Sequence, residues 1–141
     1  MLALVFIYGS LLPNVEGTRH RLLGPSRFVC SARVRGRLFL MWQYPGAVPA
    51  PGVDRWVRGE VYEIRDPDHT FKELDRYEGY LPDSPDGCEF RREIVEVVGE
   101  EAQQLSAWIY WYAWPTAGFD EIEPGDYRDF LRRHGGGGGR G

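Results

Sequence analysis

Near its start the chain reads Leu2-Ala3-Leu4-Val5-Phe6-Ile7-Tyr8-Gly9-Ser10-Leu11-Leu12. The run from Leu2 to Ile7 is entirely apolar and ends in β-branched and aromatic residues, which is typical of a β-strand. Because the run is continuous rather than alternating, we expect both faces of the strand to be covered, as in the centre of a sheet or barrel. Gly9 lacks a Cβ and tolerates a positive φ, so it predicts a turn at the end of the strand. That turn is either a plain connection or a binding loop.

The composition of the 141-residue chain is that of one globular domain. Apolar residues make up 43% and aromatic residues 14%, which favours a packed core over disorder. The net charge of −4 gives no reason to expect nucleic acid as a partner. The first apolar run is too short to cross a bilayer and lacks the flanks of a secretion signal. We therefore expect a soluble, cytoplasmic protein that does not associate with membranes.

Patterns of hydrophobicity and turn residues predict the secondary structure of the rest of the chain. Strands are predicted at 2–7, 28–41, 53–64, 88–98 and 105–114, and short helices at 18–23, 67–77 and 127–131. Gly36 predicts a bulge or a bend, and the proline-rich segments 44–46 and 48–52 predict stiff loops. Strands outnumber helices and do not alternate with them. These features predict an α+β fold, a small, mainly antiparallel β-barrel with short flanking helices. The domain is expected over residues 1–133, followed by a glycine-rich disordered tail over 134–141.

Glu78 is the candidate for acid–base chemistry. It directly follows Tyr77 at the end of a predicted helix and precedes Gly79-Tyr80-Leu81-Pro82, which is an aromatic and apolar setting. A glutamate has an unperturbed pKa of about 4.3, and removal from water raises that pKa toward values useful for proton transfer near neutral pH. The alternative is a structural glutamate that bonds to a backbone N–H or an arginine at the end of the helix.

No other set of residues predicts a catalytic or metal site. Cys30 and Cys88 lie far apart in the sequence with no further ligands at zinc spacing, and Cys30 is expected to be a buried free thiol. Ser10 lacks the local motif of an activated nucleophile. Of Arg91 and Arg92, one should point inward because neighbouring strand residues face opposite sides, although the sequence does not show which. An inward arginine would bind a carboxylate through two hydrogen bonds or pair with Glu78.

Short motifs occur along the chain in an informative order. They are Tyr8-Gly9-Ser10-Leu11, Gly36-Arg37-Leu38-Phe39, Tyr44-Pro45-Gly46, Val57-Arg58-Gly59-Glu60-Val61-Tyr62, Leu74-Asp75-Arg76-Tyr77-Glu78-Gly79-Tyr80, and Arg91-Arg92 with the later Trp108-Ile109-Tyr110. In this order they resemble the γ-glutamylcyclotransferase-like superfamily, including its AIG2-like and γ-glutamylamine cyclotransferase branches. The resemblance covers roughly residues 2–133, and it implies the fold of that family, a small β-barrel with short helices.

The resemblance also implies an activity, the release of 5-oxoproline from a γ-glutamyl amine or peptide without a cofactor or a metal. The backbone of Tyr8, Gly9, Ser10 and Leu11 would hold the α-carboxylate of this small-molecule substrate. By the same resemblance, the substrate site would be completed by Tyr44, Arg92 and Tyr110.

Glu78 matches the acid–base glutamate of the family. It would take a proton from the substrate's α-ammonium, so that the amine attacks the γ-carbonyl, and would then return the proton to the departing amine. Because the nucleophile belongs to the substrate, the protein needs no serine or cysteine nucleophile. The alternatives are a non-catalytic domain that binds a small molecule or a protein in the same pocket, and a different acyl-transfer reaction. The oligomeric state stays open.

Overall fold

The computed structural model describes residues 3–9, 11–12, 23 and 26–134. Ser10, most of the predicted helix over 18–23 and residues 135–141 of the predicted tail lie outside these ranges, and the domain boundary at residue 133 stays a prediction. The described residues form strands and two helices in the order β1 Ala3–Ile7, β2 Ser26–Met41, β3 Tyr44–Pro49, β4 Trp56–Ile64, α1 Pro67–Glu78, β5 Phe90–Gly99, β6 Gln104–Tyr112 and α2 Tyr127–Arg133.

Five of the described strands close into a barrel. The pairing order β2–β4–β1–β6–β5 returns to β2, because β2 also pairs with β5 around Ala32. The pairings are antiparallel except between β1 and β6, which run parallel where Val5 lies opposite Trp108. β3 extends the sheet outside the ring. The predicted α+β fold with a mainly antiparallel barrel is confirmed.

Strand β1 is central, as predicted, with β4 on one side and β6 on the other. Phe6 and Tyr8 belong to an apolar cluster that takes alternate residues from each of the five barrel strands, so this cluster fills the barrel interior. Val5 and Ile7 point the other way, into a second cluster outside the barrel. The continuous apolar run therefore reflects a strand that is covered on both faces.

Helix α1 covers the outer face of the barrel beside β1. The carboxylate of Asp66 accepts a hydrogen bond from the His69 N–H at 3.5 Å, and Pro67 occupies the first turn, where its missing N–H costs nothing. Phe71 and Leu74 lie on the buried face and belong to the outer apolar cluster. The helix is short, so this packing rather than helix propensity holds it in place.

The proline-rich segment after β2 differs from its prediction. Residues 44–49 form strand β3 rather than loops, paired antiparallel with the end of β2. Pro45 and Pro49 are tolerated because β3 lies at the edge of the sheet. A missing N–H on the open side of an edge strand removes no hydrogen bond between strands. β2 changes its partner from β4 to β3 at Gly36, which fits the predicted bend.

Gly59 on β4 allows a close approach of β1. A Cβ at this position would overlap the carbonyl oxygen of Ile7 and would lie 2.8 Å from Cζ of Phe6. A side chain therefore does not fit between the two strands here.

In the part of the chain that the structure describes, no helix has the length and hydropathy needed to cross a membrane.

Candidate active site

Glu78 is the last residue of α1, and the backbone turns away directly after it. Gly79 adopts the left-handed conformation with φ 75°, which glycine reaches without steric cost. The N–H groups of Gly79 and Tyr80 bond to the carbonyl oxygens of Arg76 and Asp75 at 3.2 and 2.8 Å, which is the Schellman arrangement. This local signal, a glycine after an apolar helix face, places Glu78 at the end of the helix.

A cavity of about 270 Å³ lies where α1 ends, beside the end of β1 and the start of β3. It is lined by most of the predicted site residues: Tyr8, Gly9, Leu11, Tyr44, Glu78 and Tyr110. Gly9 is needed for close packing, since a Cβ there would lie 2.7 Å from Cγ of Pro45, which also lines the cavity. Ser10 lies outside the described residues, and Arg92 is not among the lining residues.

The hydroxyl of Tyr8 serves the structure of the site. It donates a hydrogen bond to the Tyr110 carbonyl oxygen at 2.7 Å and accepts one from the Ala47 N–H at 3.2 Å. These bonds tie the end of β1 to β6 and β3. Burial, and then the nearby charge of Glu78, raise the pKa of the Tyr8 hydroxyl, so it stays protonated.

Asp75 is the centre of a buried polar cluster behind the cavity. The residue as a whole is 7% exposed, and its carboxylate accepts hydrogen bonds from Arg92 Nε and Nη2 at 2.8 and 3.1 Å. The Tyr110 hydroxyl donates to the same carboxylate at 2.6 Å. This cluster therefore links α1, β5 and β6. Asp75, its member on α1, lies three residues before Glu78.

The structure shows which of the adjacent arginines faces inward. Arg91 pairs with the surface carboxylate of Glu93 at 2.8 Å, whereas Arg92 packs between the rings of Phe71 and Trp108. Burial lowers the pKa of Arg92, but the bonds to Asp75 outweigh this, so its pKa is raised and it stays charged. The inward arginine thus binds a carboxylate of the protein. The prediction that Arg92 contacts the substrate has no support in this geometry, because its guanidinium is already engaged.

Sequence reasoning missed Glu89, which lines the cavity with Glu78. The hydroxyl of Tyr44 donates a short hydrogen bond to Oε2 of Glu89. Burial, and then this bond, raise the pKa of Tyr44, and the charge of Glu78 adds to the effect. The sequence gives no signal for this role, because Glu89 follows a polar loop and resembles the surface residues before it.

The described lining of the cavity is aromatic and negatively charged. It contains two carboxylates and includes no lysine, arginine or histidine. Burial, and then the bond to Asp75, raise the pKa of the Tyr110 hydroxyl, and the charge of Glu78 adds a smaller effect. A carboxylate among aromatic walls can exchange a proton with a bound amine, which is what general acid–base catalysis requires.

No metal centre accompanies this site within the described ranges, where no group of three or more histidine, cysteine, aspartate or glutamate side chains could hold an ion. Cys30 is 4% exposed and free of any disulfide, so its prediction as a buried thiol is confirmed.

Comparison with known proteins connects the fold and the site to a family. The sequence model of the family described as gamma-glutamyl cyclotransferase, AIG2-like, matches residues 5–129. The chain is 33% identical over 132 residues to the gamma-glutamylcyclotransferase family protein YtfP of Escherichia coli strain K12, covering 89% of this chain and 96% of that protein.

Two solved structures have a similar fold. The solution structure of Escherichia coli YtfP matches with a TM-score of 0.61 and 30% identity, covering 90% of this chain and 97% of that chain. The crystal structure of YkqA from Bacillus subtilis matches with a TM-score of 0.72 at 24% identity, covering 95% of this chain but 42% of that longer chain. Together with the sequence match over nearly the whole barrel, these similarities show that the chain belongs to the γ-glutamyl cyclotransferase, AIG2-like family.

Proposed function

We propose that the protein is a γ-glutamyl cyclotransferase that releases 5-oxoproline from a γ-glutamyl amine or peptide, with Glu78 as the general acid and base. The observation that supports this most strongly is the placement of Glu78 in an aromatic cavity together with Tyr8, Gly9 and Leu11. Membership of the family supports the reaction class.

The proposed reaction needs one proton carrier. Glu78 takes a proton from the α-ammonium of the substrate, and the resulting amine forms a bond to the γ-carbonyl carbon. Ring closure leaves an excess proton on the ring nitrogen. The bond from the γ-carbon to the amine half then breaks as Glu78 gives its proton to the departing nitrogen, and Glu78 next passes the excess proton of the ring nitrogen to the same amine. The products are the 5-oxoproline anion and an ammonium ion, so atoms and charge balance. Intramolecular attack benefits from proximity, which lowers the demand on the protein.

The segment from Tyr8 to Leu11 would hold the α-carboxylate of the substrate. A turn rich in backbone N–H groups suits an anion where a cavity lacks basic side chains. The described part of the lining includes none. Gly9 allows this segment to lie against Pro45, which brings the turn into the cavity wall.

The test is an assay of 5-oxoproline formation from a panel of γ-glutamyl amines and dipeptides. On a substrate that the wild type turns over, Glu78→Gln should lose at least about 100-fold in kcat, the usual scale for a general acid–base group. Glu73→Gln, on the solvent side of the same helix, is the matched control. Turnover by Glu78→Gln at the wild-type rate would refute the mechanism, and ligand binding without any product would favour the non-catalytic binding domain.

A further inference from the structure

We propose that Glu89 selects substrates whose amine half carries a positive charge and no carboxylate, as in a monoacylated diamine. This inference rests on the proposed function and concerns the part of the substrate that leaves. It assigns a role to the second carboxylate of the cavity, which the cyclisation itself does not use.

The charges in the cavity favour a cationic amine half over an anionic one. A γ-glutamyl group brings one α-ammonium and one α-carboxylate, and Glu78 receives the ammonium. Glu89 adds a further negative charge to a cavity whose described lining contains no basic side chain. A second carboxylate on the substrate, as in a γ-glutamyl dipeptide, would face this charge without a partner. Like charges brought together in a partly buried site are unfavourable, whereas a cation would be attracted.

The carboxylate of Glu89 is held in place by its neighbours. The Tyr44 hydroxyl holds Oε2, and the backbone carbonyl oxygen of Glu89 accepts a hydrogen bond from the Ala113 N–H at 2.7 Å. Among the described residues, no arginine, lysine or histidine pairs with this carboxylate. Its orientation is therefore set before a ligand binds, and its charge is not compensated. A preorganised carboxylate binds an ammonium group with little loss of entropy.

The walls of the cavity are largely aromatic. Its lining includes Tyr44, Tyr77 and Phe90, and the rings of Tyr44 and Phe90 have their centroids 6.2 Å apart. Such rings pack well against a short alkyl chain, and their faces attract a cation at its end. A cationic alkyl amine therefore matches both the charge and the surface of the cavity.

The experiment compares three substrates that differ only in the end of the amine half. They are γ-glutamyl conjugates of 1,5-diaminopentane, of hexylamine and of 6-aminohexanoate, with cationic, neutral and anionic ends. We expect kcat/KM to fall in that order, with the cationic end favoured over the neutral end by about 10-fold to 100-fold, the scale of a hydrogen bond between charged groups.

The variant Glu89→Gln keeps the shape of the side chain and removes its charge. In this variant the ratio of kcat/KM between the cationic and neutral substrates should fall to within about 3-fold of one, whatever happens to the absolute rates. Glu96→Gln, at an exposed position on the strand that follows Glu89, is the matched control and should keep the wild-type ratio.

Failure of the inference and failure of the proposed function give different results. Product from all three substrates at similar kcat/KM, or a preference for the anionic end, overturns the role of Glu89 and leaves the cyclisation intact. If no substrate yields 5-oxoproline, the proposed function fails, and calorimetric titration of the same three compounds tests Glu89 by binding alone. Weaker binding of the neutral and anionic compounds supports the inference, and equal dissociation constants overturn it.

Discussion

The buried Asp75–Arg92 pair gives a quantitative prediction for the variant Asp75→Asn. The substitution preserves shape but removes the charge that accepts hydrogen bonds from Arg92 and Tyr110. The side chains of Arg92 and Asp75 are 16% and 9% exposed, so solvent compensates little for a guanidinium left without its partner. Removal of one partner from such a pair costs about 3–5 kcal/mol, and we expect a loss of about 3 kcal/mol in the free energy of unfolding.

The assay is urea denaturation of a double-mutant cycle. Arg92→Met removes the stranded charge and keeps an apolar chain between the rings of Phe71 and Trp108. The double variant Asp75→Asn/Arg92→Met should therefore be more stable than the sum of the single effects predicts, by at least about 1 kcal/mol. A loss below about 1 kcal/mol in Asp75→Asn, or strict additivity in the cycle, would show that Asp75 does not stabilise the buried charge of Arg92. Tyrosine or tryptophan fluorescence reports the transition, and coincidence with far-ultraviolet dichroism checks that it is two-state.

Two further predictions concern the end of α1 and the buried tyrosines. Gly79→Ala should lower the free energy of unfolding, measured by urea denaturation, by about 1 kcal/mol, because φ at this position is 75°. Nothing lies within 4 Å of the added methyl group, so a steric clash does not contribute. A neutral effect would contradict the conformational explanation. The pKa values of Tyr8 and Tyr110 are raised in the folded protein, so their contribution to stability is complete below the unfolded pKa of about 10 and is lost as the pH rises further. Between about pH 9 and pH 11 the free energy of unfolding should fall by up to about 3 kcal/mol, and tyrosinate absorbance should appear together with unfolding; a flat stability profile would be the contrary result.

Local signals made α1 and Glu78 predictable. Asp66 and Pro67 begin the helix and Gly79 ends it, and each acts within a few residues of its position. β1 was predictable in the same way, because its continuous apolar run indicates a strand that is covered on both faces. The sequence thus locates one catalytic candidate and one turn, and their approach to each other follows once the strands close into a barrel.

The unpredicted part of the site depends on contacts between distant residues. Glu89 bonds to Tyr44, 45 positions earlier, and Asp75 bonds to Tyr110, 35 positions later. Nothing in the sequence near Glu89 distinguishes it from the polar loop before it. Likewise, the rule that proline breaks a strand misled the prediction for residues 44–49, because an edge position becomes visible only when the sheet order is known.

The missing side chain of Gly59 has a consequence for the geometry of the site. For a strand that is apolar on both faces, hydrophobic burial hardly distinguishes one pairing register from the next. A slip by one residue only exchanges one apolar face for the other. In β1 the steric fit against Gly59 takes over this task, because the Ile7 carbonyl and the Phe6 ring occupy the space that a methyl group would fill. Tyr8 and Gly9 follow directly along the chain. The register of β1, and with it the position of the turn beside the cavity, thus depends on the absence of a side chain at one position of the neighbouring strand.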